Sequence, residues 1–248
     1  MITYSTLDSG LDFPMGRGRS SRVVSPDVGA HQITLNLSIF EDGDEFPQHV
    51  HDISEDCFVV LDGSVSLRQG AKYTPLEAGQ AVWVPVGEVH GTYNHSGSRA
   101  ELISFQSPPD LALYRGERDG THAELPLHAG PTRSRVITLA NEENRPTAGA
   151  TVINGEVRSA VDAGREARCL AVERIKLEPG GSFAVGADGM EHVFVVLAGG
   201  ATDSETEERL VARSIAYGAL TQPLTLIAGE QGVLLLHSHA QPGSPPAN

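Results

Sequence analysis

Three histidines stand at a spacing that lets their imidazoles share one ion. His49 and His51 are separated by one residue, and His90 follows a Pro85-Val86-Gly87 turn on a later segment. On a β-strand, residues i and i+2 point to the same face, so the first two rings project together. A lone pair of this kind is common and carries little weight. The third ring, folded back by a turn, makes a site for a transition metal, which imidazole and carboxylate donors suit. Asp56 supplies a carboxylate on the same run, and Glu55 adjoins it. On a regular strand Glu55 points away from the face of Asp56, and a bulge would bring it inward. The fourth ligand is therefore Asp56, Glu55 or water, and whichever carboxylate is not coordinated is a candidate catalytic base. Phe58 and Val60 share the strand face of Asp56 and are expected to line a substrate cavity. Gln48, Trp83 and Phe105 are candidate neighbours of the cavity, with packing roles equally open.

The elements that must position these side chains read as strands. Short β-type runs are punctuated by 27 Gly and 15 Pro. They include ITLNLSIF (33–40), CFVVL (57–61), SVSLRQ (64–69), AVWVPV (81–86) and ELISF (101–105). After a gap come ATVINGEV (150–157), LAVERIKL (170–177), HVFVVL (192–197), LTLIA (224–228) and VLLLHSH (233–239). Many short strands with regular turn signals indicate an all-β sandwich or barrel. The stretches Ser107–Arg118 and Glu205–Arg213 are the candidates for a turn or so of helix.

The chain of 248 residues suits two domains. An internal repeat supports this: EDGDEFPQHVHDISEDCFVVLDGSVSL from Glu41 and EPGGSFAVGADGMEHVFVVLAGGATD from Glu178 share one layout. The boundaries expected are a metal-binding domain at 1–120, a linker at 121–145, a second copy at 146–240 and a disordered tail at 241–248.

Two dense patterns complete the first copy. Gly43, His49, His51, Asp56 and Gly63 form one, and Gly79, Pro85, Gly87, His90 and Asn94 form the other. In these residues the chain resembles the cupin superfamily, whose motifs run G-x5-H-x-H-x3-4-E-x6-G and G-x5-P-x-G-x2-H-x3-N. The second motif matches at every defined position, and the first departs only where Asp56 replaces Glu. The resemblance implies two cupin double-stranded β-helix (jelly-roll) barrels in tandem, a central metal and a homodimer. In the second copy Gly186 and Asp188 occupy the histidine positions, His192 the Glu position, and Leu224 the place of the last His. This barrel is expected to hold no metal, with Asp188 and His192 as remnants. His31, His95, His122, His128, His237 and His239 are assigned to surface or core.

One divalent transition metal is therefore expected at His49, His51, Asp56 and His90. Fe(II) is favoured, with Mn, Ni, Zn or Cu also suited. The function expected is a metal-dependent oxidoreductase, of dioxygenase type, acting on a small organic molecule. The alternatives are an isomerase, lyase or decarboxylase using the metal as a Lewis acid, and a non-enzymatic small-molecule-binding protein. A net charge of −14 and the lack of a basic stripe speak against a nucleic-acid partner. No apolar run reaches the length of about 20 residues needed to span a membrane as a helix. Cys57 and Cys169 form no disulfide framework and are expected as buried thiols of a cytoplasmic protein. The start, MITYSTLDSG, lacks the marks of a signal peptide.

Overall fold

The computed structural model describes residues 2–13, 16–111, 132–145 and 149–241. It divides into two compact units, Gly10–Thr138 and Met1–Ser9 with Leu139–Gly243. The chain opens with β1 (Thr3–Thr6), which belongs to the second unit, and then builds the first.

The first unit holds β2 (Leu11–Phe13), β3 (Arg19–Val24), β4 (Thr34–Phe40), β5 (Glu45–His49), β6 (Glu55–Asp62) and β7 (Ser64–Gln69). It continues with β8 (Lys72–Glu77), β9 (Gln80–Val84), β10 (His90–Tyr93), β11 (Ala100–Ser107) and β12 (Arg135–Thr138). Two antiparallel sheets result. One runs β12-β9-β6-β11-β4-β3-β2 and the other β5-β10-β7-β8. Between them lies a core of Phe40, Phe58, Val60, Val65, Leu67, Leu76, Val82, Val84, Ala100 and Leu102, with Phe46 packed against it. Each such side chain contributes roughly 1.5–3 kcal/mol on burial. The inward members alternate along their strands (Phe58 and Val60, Val65 and Leu67, Val82 and Val84), as a pleated sheet with one apolar face requires.

Two glycines set the approach of strands near the histidines. Gly63 turns β6 into β7 at φ +68°, and a Cβ there would meet Arg99 O at 2.5 Å. Gly91, inside β10, has room for no side chain: a Cβ would lie 2.8 Å from Phe46 O and 3.0 Å from Gln48 N. That close approach seats β5 directly against β10.

The second unit contains β13 (Ala150–Val161), β14 (Leu170–Val185), β15 (Glu191–Asp203), β16 (Arg209–Val211), β17 (Ser214–Ala219) and β18 (Leu224–Ala240). Its sheet order is β1-β17-β15-β18-β14-β13, with β16 on β15. Long strands here break register where they bend, β14 against β18 between Leu177 and Ser182, and β15 against β18 around Val196 to Ala201. Leu224, which replaces a motif histidine, is buried in this unit's apolar core.

Three expectations change on contact with the structure. The segment Glu205–Arg213 carries no helix: it is a turn followed by β16, because Arg209–Val211 pair with Gly200–Thr202. Within the stretch read as linker, Arg135–Thr138 are a strand hydrogen-bonded to β9, and the division between units falls at Thr138/Leu139. The N-terminal Thr3–Thr6 pair with β17 of the second unit rather than joining the first. The rest of the 107–118 stretch beyond Leu111, most of the tail, and His122 and His128 lie outside the described residues.

Candidate metal centre

Four side chains of the first unit converge. His49 ends β5 and stands directly opposite His90, the first residue of β10. His51 lies just past β5, on the same side as His49, and Asp56 reaches in from β6. One ligand atom from each of His49, His51, Asp56 and His90 falls within 4.8 Å of all the others, and all four residues are buried. The individual separations are 3.1 Å between the Nε2 atoms of His49 and His51, and 3.6 and 3.5 Å from Asp56 Oδ2 to Nε2 of His51 and His90. Donors about 2.0–2.1 Å from a shared ion would stand about 2.8–3.4 Å apart at right-angled or tetrahedral positions. The cluster is therefore already near the size of a coordination shell.

The outer ring nitrogens decide what the inner ones present. His49 Nδ1 lies 2.9 Å from Pro47 O, and His90 Nδ1 lies 3.0 Å from Glu88 O. His51 Nδ1 lies 3.1 Å from the Asp110 carboxylate. A carbonyl or carboxylate oxygen only accepts, so each Nδ1 must carry the proton and each Nε2 turns a lone pair inward. Metal-binding histidines are commonly oriented in this way. Two lone pairs facing each other at 3.1 Å repel unless a cation lies between them. His90 Nε2 and Asp56 Oδ1 are also buried with no hydrogen-bond partner. Such groups are costly to leave unmet, and a coordinated cation would satisfy them together.

The electrostatics agree. Burial, followed by the neighbouring His90 and His51, pushes His49 well below the usual imidazole range, which keeps it neutral. Burial raises Asp56, but the adjoining His51 and His90 rings outweigh it and hold the carboxyl below its ordinary range. A neutral imidazole and an ionised carboxylate are the forms that ligate metals. Burial pushes the Cys57 thiol upward, so this neighbour of Asp56 is inert as a nucleophile.

The rings look into a cavity of about 70 Å³, lined by Phe13, Arg22, Asn36, Phe46, Phe58 and Ser104 among others. At 10–15 Å³ for one water, that is room for roughly five or six. Of the residues expected to bind substrate, Phe58 lines this cavity. Val60 does not: it is one step deeper in the apolar core. Gln48 faces away from His49, and its side-chain oxygen accepts a hydrogen bond from Gly70 N. Glu55, expected as ligand or base, is buried on the opposite face of β6 from Asp56 and does not line the cavity. No bulge sits at this point, since Asp56 and Glu55 pair in register with Gln106 and Ser107.

Two residues of the site escaped the sequence reading. Gln106 places its amide nitrogen 3.0 Å from His51 Nε2, while its oxygen accepts Asp110 N at 2.9 Å. Asp110 fixes the His51 ring. Alternation from Leu102 would have put Gln106 on the inner face of β11. Nothing local marks Asp110, which lies beyond the strand.

Comparison with known proteins places this geometry. Residues 36–105 match the family model for the cupin domain. Residues 36–105 are a cupin domain. Among curated proteins, a polyketide synthase protein, CurC, from Streptomyces cyaneus is 27% identical over 81 residues, which is 33% of this chain and 53% of that protein. The chain thus spans about half the length of the curated relative it matches. Among solved structures, the bacterial pirin YhhW from Escherichia coli, in complex with nickel(II), superposes with a TM-score of 0.68 at 16% identity, covering 98% of this chain and 100% of that one. Salicylate 1,2-dioxygenase from Pseudoaminobacter salicylatoxidans, with gentisate, gives 0.69 at 14%, covering 96% and 81%. Oxalate decarboxylase from Bacillus subtilis, with its Mn(II) centres, gives 0.66 at 12%, covering 99% and 78%. Identities this low speak for the fold alone, and the fold is that of a two-barrel cupin. Both cupin motifs lie in the first barrel, and the four converging residues are the histidines and the carboxylate of those motifs.

Proposed function

We propose that the first barrel binds one divalent transition metal through His49, His51, His90 and Asp56, and that the chain is a metal-dependent oxidoreductase, of dioxygenase type, acting on a small organic molecule. The observation that carries the metal is the pair of facing Nε2 lone pairs, 3.1 Å apart, whose outer nitrogens are already committed. Three imidazoles and one carboxylate would suit Fe(II) and would leave room for further ligands on the ion. An ion so held would supply Lewis acidity and, if redox-active, electron transfer to bound substrate and oxygen.

The chain's own residues do the rest. Asp110 and the Pro47 and Glu88 carbonyls hold the three rings in one tautomer. Asp56 lowers the net charge of the centre. Gln106 adds a hydrogen-bond donor beside His51, 3.0 Å from its Nε2. Phe13, Phe46 and Phe58 give the cavity apolar walls that restrict water. Likeness to a dioxygenase, a nickel-bound pirin and a manganese decarboxylase fits a metal-dependent chain without choosing among reactions.

Oxygen uptake by Fe(II)-loaded protein against a panel of enolisable diketones, thiols and catechol-like compounds tests the reading. Uptake that depends on one of them supports it. Anaerobic turnover with the Zn(II)-loaded protein would instead assign Lewis-acid chemistry, and absence of turnover under both conditions would leave a binding protein.

A further inference from the structure

Gln106 stands beside the metal cluster without belonging to it. It pairs across β11 and β6 with Asp56, and it is buried. Its side-chain oxygen accepts Asp110 N at 2.9 Å, which fixes the amide end for end and turns its nitrogen toward His51. That nitrogen lies 3.0 Å from His51 Nε2 and 3.3 Å from His51 Nδ1. An atom so close to both nitrogens of one imidazole lies over the face of the ring, because in the ring plane it would overlap the ring's own carbons. Neither contact therefore meets a lone pair. Nδ1 carries the proton that faces Asp110, and the Nε2 lone pair lies in the ring plane, directed into the cluster.

The amide nitrogen has two N–H groups, and the face of a ring is a weak acceptor for one of them. Among the described residues, the two His51 contacts are all the hydrogen-bonding neighbours this nitrogen has. A buried donor left unmet is costly, and Gln106 lines the cavity, where a ligand would meet it. Two hydroxyls extend the pattern. Thr92 shares a face of β10 with His90, and Ser104 shares a face of β11 with Gln106. Both line the cavity, and neither hydroxyl is hydrogen-bonded among the described residues. The walls between them, Phe46, Phe58 and Leu102, are hydrocarbon.

We infer that the substrate meets the metal through an oxygen atom and that Gln106 donates a hydrogen bond to that atom. This rests on the metal-dependent reading above and narrows its substrate class to enolates and catecholates, against thiols and amines. An oxygen bound to an ion keeps lone pairs for an N–H donor. A coordinated amine or ring nitrogen has none left, and sulfur is a weak acceptor. Gln106 thus selects the donor atom that enters and moves no proton. Thr92 and Ser104 are placed to meet further oxygens of the same molecule.

The test uses the full chain loaded with Co(II), whose visible absorption changes when a ligand enters its shell. Three small probes differ in the atom they offer: acetohydroxamate binds through oxygen, 1-methylimidazole through nitrogen and ethanethiol through sulfur. Gln106→Met keeps the length of the side chain and removes its donor. It should weaken acetohydroxamate about tenfold and leave the other two probes unchanged. Gln106→Leu should show the same split. An unchanged acetohydroxamate affinity overturns the inference. So does a comparable loss for either of the other probes, which would assign Gln106 to holding His51 in place. His90→Ala separates this from the metal reading. If that variant keeps the Co(II) spectrum, the metal reading fails and takes the inference with it. If it abolishes the spectrum, a missing split overturns the inference alone.

Discussion

The two barrels use histidine in opposite ways. In the first, three rings aim their Nε2 atoms at one point and anchor their Nδ1 atoms outward on Pro47, Glu88 and Asp110. In the second, His192, His237 and His239 are equally buried, but they stack, with ring centroids 5.1–5.2 Å apart and planes within 12–27°. His192 and His237 bond in file rather than converging. His237 Nδ1 donates to Glu173 at 3.0 Å, His237 Nε2 meets His192 Nδ1 at 2.9 Å, and His192 Nε2 meets Asp188 at 3.1 Å. Every ring nitrogen of His192 and His237 has a polar neighbour within hydrogen-bonding distance, whereas in the first barrel His90 Nε2 and Asp56 Oδ1 are left unmet. Among the described residues, the cluster of His49, His51, Asp56 and His90 is the one group of three or more whose ligand atoms share a single point. Residue type alone does not make a metal site; the direction in which lone pairs are forced does.

That contrast breaks most decisively at His90. His90→Ala should reduce bound metal from about one equivalent to near zero, while His192→Ala should leave it unchanged, as elemental analysis of the purified proteins will read. Metal that survives His90→Ala, or departs with His192→Ala, would invert the assignment of the two barrels.

The next effect concerns stability. His237→Leu removes a partner from Glu173, whose side chain is 2% exposed. Breaking a buried pair from one side typically costs about 3–5 kcal/mol. Hydrogen exchange of peptides from β14, β15 and β18 should accelerate, with metal content unaltered. Exchange at the wild-type rate would show that the file contributes nothing to the fold.

A smaller loss is expected where the first barrel is only reoriented. Asp110→Asn keeps the size of the side chain and removes its charge. Loss of such an outer partner typically costs 10–100-fold in metal affinity. Competition with a chromophoric chelator measures it, and Asp110→Asn binding metal as tightly as the wild type would remove Asp110 from the centre.

The last effect is pH dependence in the second barrel, which accumulates with each unit of pH below about 6.5. Burial, then His237 and His239, lowers His192 to about 3, and burial and His239 lower His237 well below its usual value. An unfolded histidine titrates near 6.5. Between pH 6.5 and 3 the unfolded chain therefore binds more protons than the folded one. Stability is full above pH 6.5 and falls as pH falls, by up to about 1.4 kcal/mol per pH unit for each such histidine. Melting followed from pH 7.5 to 4 should show this decline, and His192→Gln should flatten it. An equally steep decline in His192→Gln would place the titrating groups elsewhere.

Much of the first barrel can be read directly from the chain. Strand alternation puts His49 with His51 and Asp56 with Phe58, and a turn at Pro85-Val86-Gly87 brings His90 back. Each is a statement about neighbours within a few residues, which backbone geometry governs. The same rule separated Glu55 from Asp56 once no bulge intervened. It failed for Val60, since alternation chooses a face and not a depth. Gln48 was the opposite error, a side chain next to a ligand but turned outward to Gly70.

The local pattern by itself determined which residues can ligate, which strands carry them and that two β units follow one another. Only the tertiary structure decided how His51 is held by Asp110, that Gln106 and Arg22 look into the cavity, and that His237 joins His192 in a hydrogen-bonded file on which His239 stacks. His51 and Asp110 are 59 residues apart, Gln106 and His51 55, and His192 and His237 45, while Arg22 meets Asn36 across a sheet. Their meeting depends on sheet register and on the burial it imposes. Periodicity fixes the face a residue takes within its own strand, and register across strands fixes what it meets there.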